Sequence, residues 1–318
     1  MTIELSEVIA SHGDDDPSRY IAIADHFLRL EDRPAAAVAL DRAYGLIPND
    51  TDLARHRAAI LDELAIQEHG LVWRYVPAGT FAMGSRDGDP DERPVHHRTL
   101  AAFWITDVPI TWAAYCTLRG WTPSQMHDPE LAKLDRSTQF AIRQSEKMRR
   151  TYCESQDYAT KPMCAVTLFE ADALCAGLAT SAVRYALPTE AQWEKAARGG
   201  LVGARYSWGD AAPTPALCDF DRMGDYRLLD PRALPANGYG LHGMCGGLSE
   251  WTADGYDALA YGRAAGIASD ANQRVLRGGS WTDCASAVTV SRRMARAGDR
   301  PPSPTIGMRL VRNLLAMT

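Results

Sequence analysis

Residues 237–252 read Asn-Gly-Tyr-Gly-Leu-His-Gly-Met-Cys-Gly-Gly-Leu-Ser-Glu-Trp-Thr, residues 274–281 read Arg-Val-Leu-Arg-Gly-Gly-Ser-Trp, and residues 305–310 read Thr-Ile-Gly-Met-Arg-Leu. Glycines this dense, interleaved with aromatics, hold backbone in tight turns that larger side chains cannot follow. The blocks have the period of neither a regular helix nor an alternating strand. They predict an irregular, glycine-pinned core that keeps its surface residues in fixed places.

Working outward, similar blocks lie upstream. Residues 75–85 read Tyr-Val-Pro-Ala-Gly-Thr-Phe-Ala-Met-Gly-Ser, and residues 91–96 read Asp-Glu-Arg-Pro-Val-His. Residues 187–200 read Leu-Pro-Thr-Glu-Ala-Gln-Trp-Glu-Lys-Ala-Ala-Arg-Gly-Gly, and residues 206–210 read Tyr-Ser-Trp-Gly-Asp. In this order, over about residues 72–312, the set resembles the formylglycine-generating enzyme family, also called the sulfatase-modifying-factor family. The resemblance implies an α+β fold of modified C-type-lectin-like type, with little regular secondary structure. It does not by itself imply an activity, because the fold hosts oxidases, sulfoxide synthases and binding proteins.

The 318-residue chain is 46% hydrophobic and carries a formal net charge of -6. It can bury a sizeable core, and bulk charge argues against a nucleic-acid partner. No apolar run reaches the roughly 18 residues of a membrane span. The acidic start Met-Thr-Ile-Glu-Leu-Ser-Glu lacks the basic and apolar segments of a signal peptide, so a cytoplasmic location is expected. Seven scattered cysteines without a Cys-x-x-Cys pair are expected to be buried free thiols.

Residues 1–70 are expected to form an N-terminal helical cap. Ile23, Ala24, Phe27 and Leu30 share one face of a first helix, and Ala36, Leu40 and Ala43 one face of a second. A third helix is expected from Thr51 to Glu68. The small residues, Phe27 and Pro48 resemble a tetratricopeptide repeat. A lone repeat cannot bury its own apolar face, so it packs on the second domain or offers a groove to a protein partner. Residues 71–318 form the second domain, with a polar helical insertion around 121–160. Val72–Val76 is expected to pair with Phe81–Gly84, and His97–Leu100 with Phe103–Ile105. Thr111, Thr167 and Thr189 read as helix N-caps, and Gly199-Gly200 as a helix stop.

The loop after Gly278-Gly279-Ser280-Trp281 decides the chemistry. In the oxidase members that this chain resembles, two cysteines of this loop hold Cu(I), because soft thiolates select that ion. The matching positions here are Asp283 and Val288, which argues against copper. Cys284 lies one residue away, and Trp251 and Ser280 match residues that shape the oxygen pocket in those enzymes. These three are the weak catalytic candidates. Iron-dependent members use a His-x-x-x-His-x-Glu arrangement that is absent here, and His96, His97 and His242 do not form a chelating set.

A structural Ca²⁺ is the metal that the resemblance implies, with Asp219, the Phe220 carbonyl, Asp225 and Glu250 as candidate ligands. Hard oxygen donors suit that ion, although aspartates in such a loop also cap turns. A second calcium position of the family falls on Gly247, which offers no side chain. The loop from Thr282 to Thr305 matches the ligand-facing segment of binding members. Trp281, Asp283, Arg292, Arg293, Arg296 and Arg300 are its candidate ligand-binding residues, and four arginines on an acidic protein suit an anionic ligand or acidic partner surface. The competing expectation pairs them with Glu250, Asp283 and Asp299. The sequence therefore points to a non-oxidase member acting as a ligand- or protein-binding accessory module. The alternative is a divergent copper or iron oxidase acting on a thiol.

Overall fold

A computed structural model describes residues 16–119, 158–225, 227–262 and 272–314. The described residues begin with three helices, each capped by an aspartate. The Asp16 carboxylate accepts from the Ser18 amide ahead of α1 (Pro17–Arg29). Asp32 accepts from Ala35 ahead of α2 (Arg33–Leu46), and Asp50 from Asp52 and Leu53 ahead of α3 (Thr51–Glu63). These bonds satisfy amides that have no partner inside a helix. Ala24, Ala36, Ala37, Ala39 and Ala43 are fully buried, which lets the helices approach closely. Leu30, expected on the buried face, is 62% exposed because α1 has ended and it serves as the C-cap.

The third helix is shorter than expected. It stops at Glu63, and β1 (Ile66–Glu68) runs antiparallel to β2 (Leu71–Val76) with Ile66 opposite Trp73. His69 and Gly70 both have positive φ, 58° and 71°, which matches the twist of a tight hairpin. A five-stranded sheet follows in the order β1-β2-β5-β11-β6, with β5 Phe103–Thr106, β6 Val183–Ala186 and β11 Val311–Leu314. The strand β3 (Gly79–Met83) pairs with β4 (His96–Leu100) in a separate ribbon. The expected β2–β3 and β4–β5 pairings are therefore corrected. With Trp73 and Tyr75 buried and both of its edges taken by β1 and β5, β2 has no edge left for β3.

The glycine-rich blocks become neighbours in a second sheet of order β10-β7-β8-β9. Here β7 is Ser249–Gly255, β8 Gln273–Arg277, β9 Arg293–Ala297 and β10 Ile306–Gly307. Three helices flank the sheets: α4 (Trp112–Arg119), α5 (Leu168–Leu178) and α6 (Glu190–Arg198). Thr111 accepts from the Ala114 amide, and Thr167 and Thr189 each complete a capping box. Gly199 ends α6 at φ 60°, where a β-carbon would lie 2.7 Å from the Gly238 nitrogen. Most of the expected 121–160 insertion lies outside the described residues.

The core has two main parts. One joins Ala24, Leu40 and Leu61 of the helices to Tyr75, Trp193, Tyr239 and Val288. The other gathers Trp73, Trp112, Trp251, Trp281 and Met308. The helical start and the sheets thus share one apolar interior. Arg57 of α3 ties them further, donating to the Gly238 carbonyl at 2.7 Å and the Gly199 carbonyl at 3.2 Å. The architecture is α+β.

Candidate functional site

The loop after β8 is shaped by Gly278 and Gly279, both with positive φ. A β-carbon on Gly279 would sit 2.5 Å from the Ala287 carbonyl, so only glycine lets the loop fold back this closely. Asp283 closes the turn: its Oδ2 accepts from the Ser280 amide and the Ser280 hydroxyl, both at 2.8 Å. Val288 is fully buried in the core beside Tyr206, Cys218 and Cys245. The two positions that decide the chemistry are therefore spent on a turn and on packing.

Cys284 is exposed and bonds to the Ser286 hydroxyl at 3.2 Å. That hydrogen bond and nearby backbone amides hold its thiol below the usual range. Ser280 and Trp251 are buried, and the Trp251 indole donates to the Val166 carbonyl at 3.0 Å. Trp281 is also buried and packs in the second core cluster. Cys245, in the glycine-rich turn, is buried, and burial pushes its thiol up to about 11. Cys218 lies beside it and donates to the Cys245 carbonyl at 3.0 Å. Cys164, Cys175, Cys218 and Cys245 are buried and free, as expected, whereas Cys284 is free but exposed and Cys116 is disulfide-bonded.

The Asp219 carboxylate is buried and doubly bonded by Arg222, from Nε at 2.5 Å and from Nη2 at 3.0 Å. Asp225 takes Arg227 at 2.7 Å and Arg222 at 3.1 Å, which holds its carboxyl well below the usual range. Phe220 turns its ring toward the first core cluster. Glu250 is fully buried and accepts from the Trp193 indole at 2.7 Å and from Arg309 at 3.2 Å.

The four arginines separate. Arg292 pairs with Asp89. Arg293 is buried against Glu190, with Nε at 2.6 Å, between the rings of Tyr256 and Tyr261. Their partners are thus Asp89 and Glu190, not the expected Glu250, Asp283 or Asp299. Arg296 donates to the Pro301 carbonyl at 2.5 Å, and burial together with the Arg300 charge lowers its pKa. Arg300 is exposed. Arg274, not singled out by sequence, stands directly opposite Arg296 in the β8–β9 register. Like charges directly opposite repel, and none of these three is in an ion pair among the described residues. The missed signal was the Arg274/Arg296 register, which appears only once two strands pair.

A family model described as "Sulfatase-modifying factor enzyme 1-like domain" matches residues 66–314. The chain belongs to this family. Among relatives, it is 32% identical over 221 residues to a serine/threonine-protein kinase pkn1 of Chlamydia caviae, covering 65% of this chain and 32% of the kinase. The chain spans about a third of the length of these kinase relatives. An inactive C-alpha-formylglycine-generating enzyme 2 of Bos taurus is 29% identical over 267 residues, covering 72% of this chain and 83% of the relative. A hercynine oxygenase of Mycolicibacterium thermoresistibile is 34% identical over 236 residues, covering 66% and 50%.

Within this sulfatase-modifying-factor family member, the side-chain donors suggested for Ca²⁺ do not fit a divalent ion as they stand. Asp219 and Asp225 are neutralised by Arg222 and Arg227, and Glu250 by Arg309. The histidines do not converge: His96 bonds to the Pro94 carbonyl and His242 to the Leu234 carbonyl. Sequence missed one acidic cluster, Asp89, Asp91 and Glu92, whose ligand atoms lie within 4.8 Å of one another. Each already has a partner: Arg292 on Asp89, the Tyr256 hydroxyl on Asp91 and the Ser291 hydroxyl on Glu92. Burial raises the Glu92 pKa, while the Ser291 hydroxyl bond opposes that shift.

Proposed function

We propose that this chain is a non-oxidase member of its family, a binding module that recognises an acidic protein surface. The observation that carries this reading is the fate of Asp283 and Val288, one bound to Ser280 and the other fully buried. A Cu(I) site needs two soft ligands facing each other, and neither residue supplies one. The likeness to a relative named inactive supports the same reading. Arg274, Arg296 and Arg300 are the proposed contact, because a repelling cluster on a protein of net charge -6 gains most from an anionic partner.

In this reading a C-type-lectin-like domain presents a rigid site, and α1–α3 form a tetratricopeptide-like cap that offers a further protein contact. Free cysteines suit a cytoplasmic location, while the Cys116 disulfide suits an oxidising one. Thiol counting on protein recovered from each compartment separates them. The divergent oxidase is the competing reading, supported by the hercynine oxygenase likeness.

One experiment addresses the reading. A fluorescent polyglutamate peptide is titrated with the full chain at rising salt, beside Arg296→Glu/Arg300→Glu. Binding that weakens with salt and drops at least about tenfold in the variant is expected. Equal binding by the variant removes the proposed surface. Stoichiometric copper or iron in the purified protein, with oxygen-dependent turnover of a thiol peptide, overturns the non-oxidase reading.

A further inference from the structure

The geometry points to an internal cation in the loop from Asp219 to Arg227: the Arg222 guanidinium fills an oxygen cage of the kind that elsewhere holds a divalent metal, so this loop is closed without one. Asp219 contributes both carboxylate oxygens, at 2.5 Å from Nε and 3.0 Å from Nη2. Asp225 contributes its carbonyl at 3.2 Å and a carboxylate oxygen at 3.1 Å, both facing Nη1. Arg227 contributes its carbonyl, at 2.9 Å from Nη2.

The donors match the acceptors. A guanidinium presents five N–H groups in a fixed planar fork, which suits a carboxylate taken side-on and carbonyls beyond it. Two carboxylates, Asp219 and Asp225, face two guanidiniums, Arg222 and Arg227, so the paired groups of the cage balance in charge. A divalent ion entering the same cage would have to expel Arg222 and add uncompensated positive charge.

The cage is also built into the fold. The Asp219 carbonyl accepts from the Gly247 amide at 2.8 Å. The Asp221 amide donates to the Asp283 carbonyl and the Arg222 amide to the Trp281 carbonyl, at 2.9 and 2.8 Å. Asp221 takes φ 51° to make that bend. These backbone bonds hold the Asp219 loop against the 246–247 turn and the 281–283 turn at once, and the Arg222 side chain closes the loop they fix. The inference does not depend on the proposed binding role.

The test uses the full chain, stripped with chelator, beside Arg222→Ser and Arg222→Lys. For the unaltered protein, added CaCl₂ should leave Tm unchanged, and Tb³⁺ should show no stoichiometric sensitised luminescence. Arg222→Ser leaves the buried Asp219 carboxylate without its cation and should lower Tm by at least about 5 °C. Ca²⁺ should then restore part of that loss and Tb³⁺ should bind at one site, because the vacated cage offers five oxygens. Where Arg222→Ser does not fold, Arg222→Lys, which keeps a cation but not the fork, should fold with a lower Tm and gain no calcium response. Stoichiometric Ca²⁺ or Tb³⁺ uptake by the unaltered chain, or an Arg222→Ser protein as stable as the parent in chelator, overturns the inference.

Discussion

Glu250→Gln separates an ion-pair role from a metal-ligand role at one residue. The Glu250 carboxylate is buried, and Arg309 opposite it is also fully buried. Glu250 accepts from the Trp193 indole at 2.7 Å and from Arg309 at 3.2 Å, while Arg309 also donates to the carbonyls of Thr106 and His242. The pair thus joins β7, α6, β5 and two of the glycine-rich blocks. Glutamine keeps the shape and one acceptor, but it turns an amide donor toward groups that are all donors. Removing one partner of a buried pair costs about 3–5 kcal/mol. At roughly 2–4 °C per kcal/mol, Tm should fall by roughly 6–20 °C. Thermal melts by circular dichroism, with and without calcium, provide the assay.

Two outcomes of that assay, and one companion cycle, carry information. A large drop that calcium neither causes nor repairs supports the ion pair. A double-mutant cycle with Arg309→Met should show coupling, with the double variant less destabilised than the two single losses combined. A Glu250→Gln protein that melts like the parent in chelator, yet loses a calcium response the parent shows, would falsify the ion-pair reasoning.

Further expectations follow from other buried charges and from the cap. Arg277→Met removes a donor that holds Glu194 at 2.5 Å and the carbonyls of Val290, Ser291 and Arg292; about 3 kcal/mol of stability should go, and limited proteolysis should cut first between residues 285 and 300. Uncut loops in a destabilised variant would sink that account. Burial holds the Lys195 ammonium down to about 8, below the unfolded value, so the folded state binds fewer protons than the unfolded chain above about pH 8. The Lys195 share of stability should therefore grow from about pH 8 toward 10, opposed from about pH 9 by the raised thiols of Cys175, Cys218 and Cys245, and Lys195→Met should make the pH slope above 8 less favourable in denaturant melts. Cutting away residues up to Leu64 strips Tyr20, Leu40 and Leu61 from the core they share with Tyr75 and Tyr239; the remainder should fold but self-associate in size-exclusion chromatography, and a monomeric remainder of equal stability would make α1–α3 an independent arm.

Local signals were the legible ones. Thr167 and Thr189 cap helices, and Gly199 stops one, because caps depend on a few adjacent residues. The glycine blocks were legible as one unit, and they meet in the β10-β7-β8 part of one sheet. Strand partners were not legible, since β2 finds β5 and β11 finds β6 across long stretches of chain. The burial of the α6 charges was not legible for a related reason. Glu190 and Arg198 look placed for the helix dipole, yet both are buried, along with Glu194 and Lys195. Only the distant Arg277 and Arg293 make that burial tolerable. At the candidate site, Asp219 lies in an oxygen-rich loop, and the sequence alone did not show that Arg222, three residues on, folds back into it.

These buried cations share one physical task. A fold with few regular elements leaves loop carbonyls without ladder partners, and each must find a donor when buried. Arg277 takes three such carbonyls, Arg309 those of Thr106 and His242, and Arg293 those of Asp91 and Asp257. Arg198 takes Ala204 and Gly84, and Lys195 takes Pro77 and Gly79. All but Lys195 also pair with a carboxylate. A guanidinium suits this work because one side chain serves several acceptors in a fixed plane. The same rule sorts the arginines of the 282–305 loop. Arg293 meets it in full and is cement. Arg296 has one carbonyl and a repelling neighbour in Arg300. A cation left over from the internal network is the one with binding capacity to spare, which is why Arg296 and Arg300, and not Arg292 or Arg293, are the residues to change when a partner is sought.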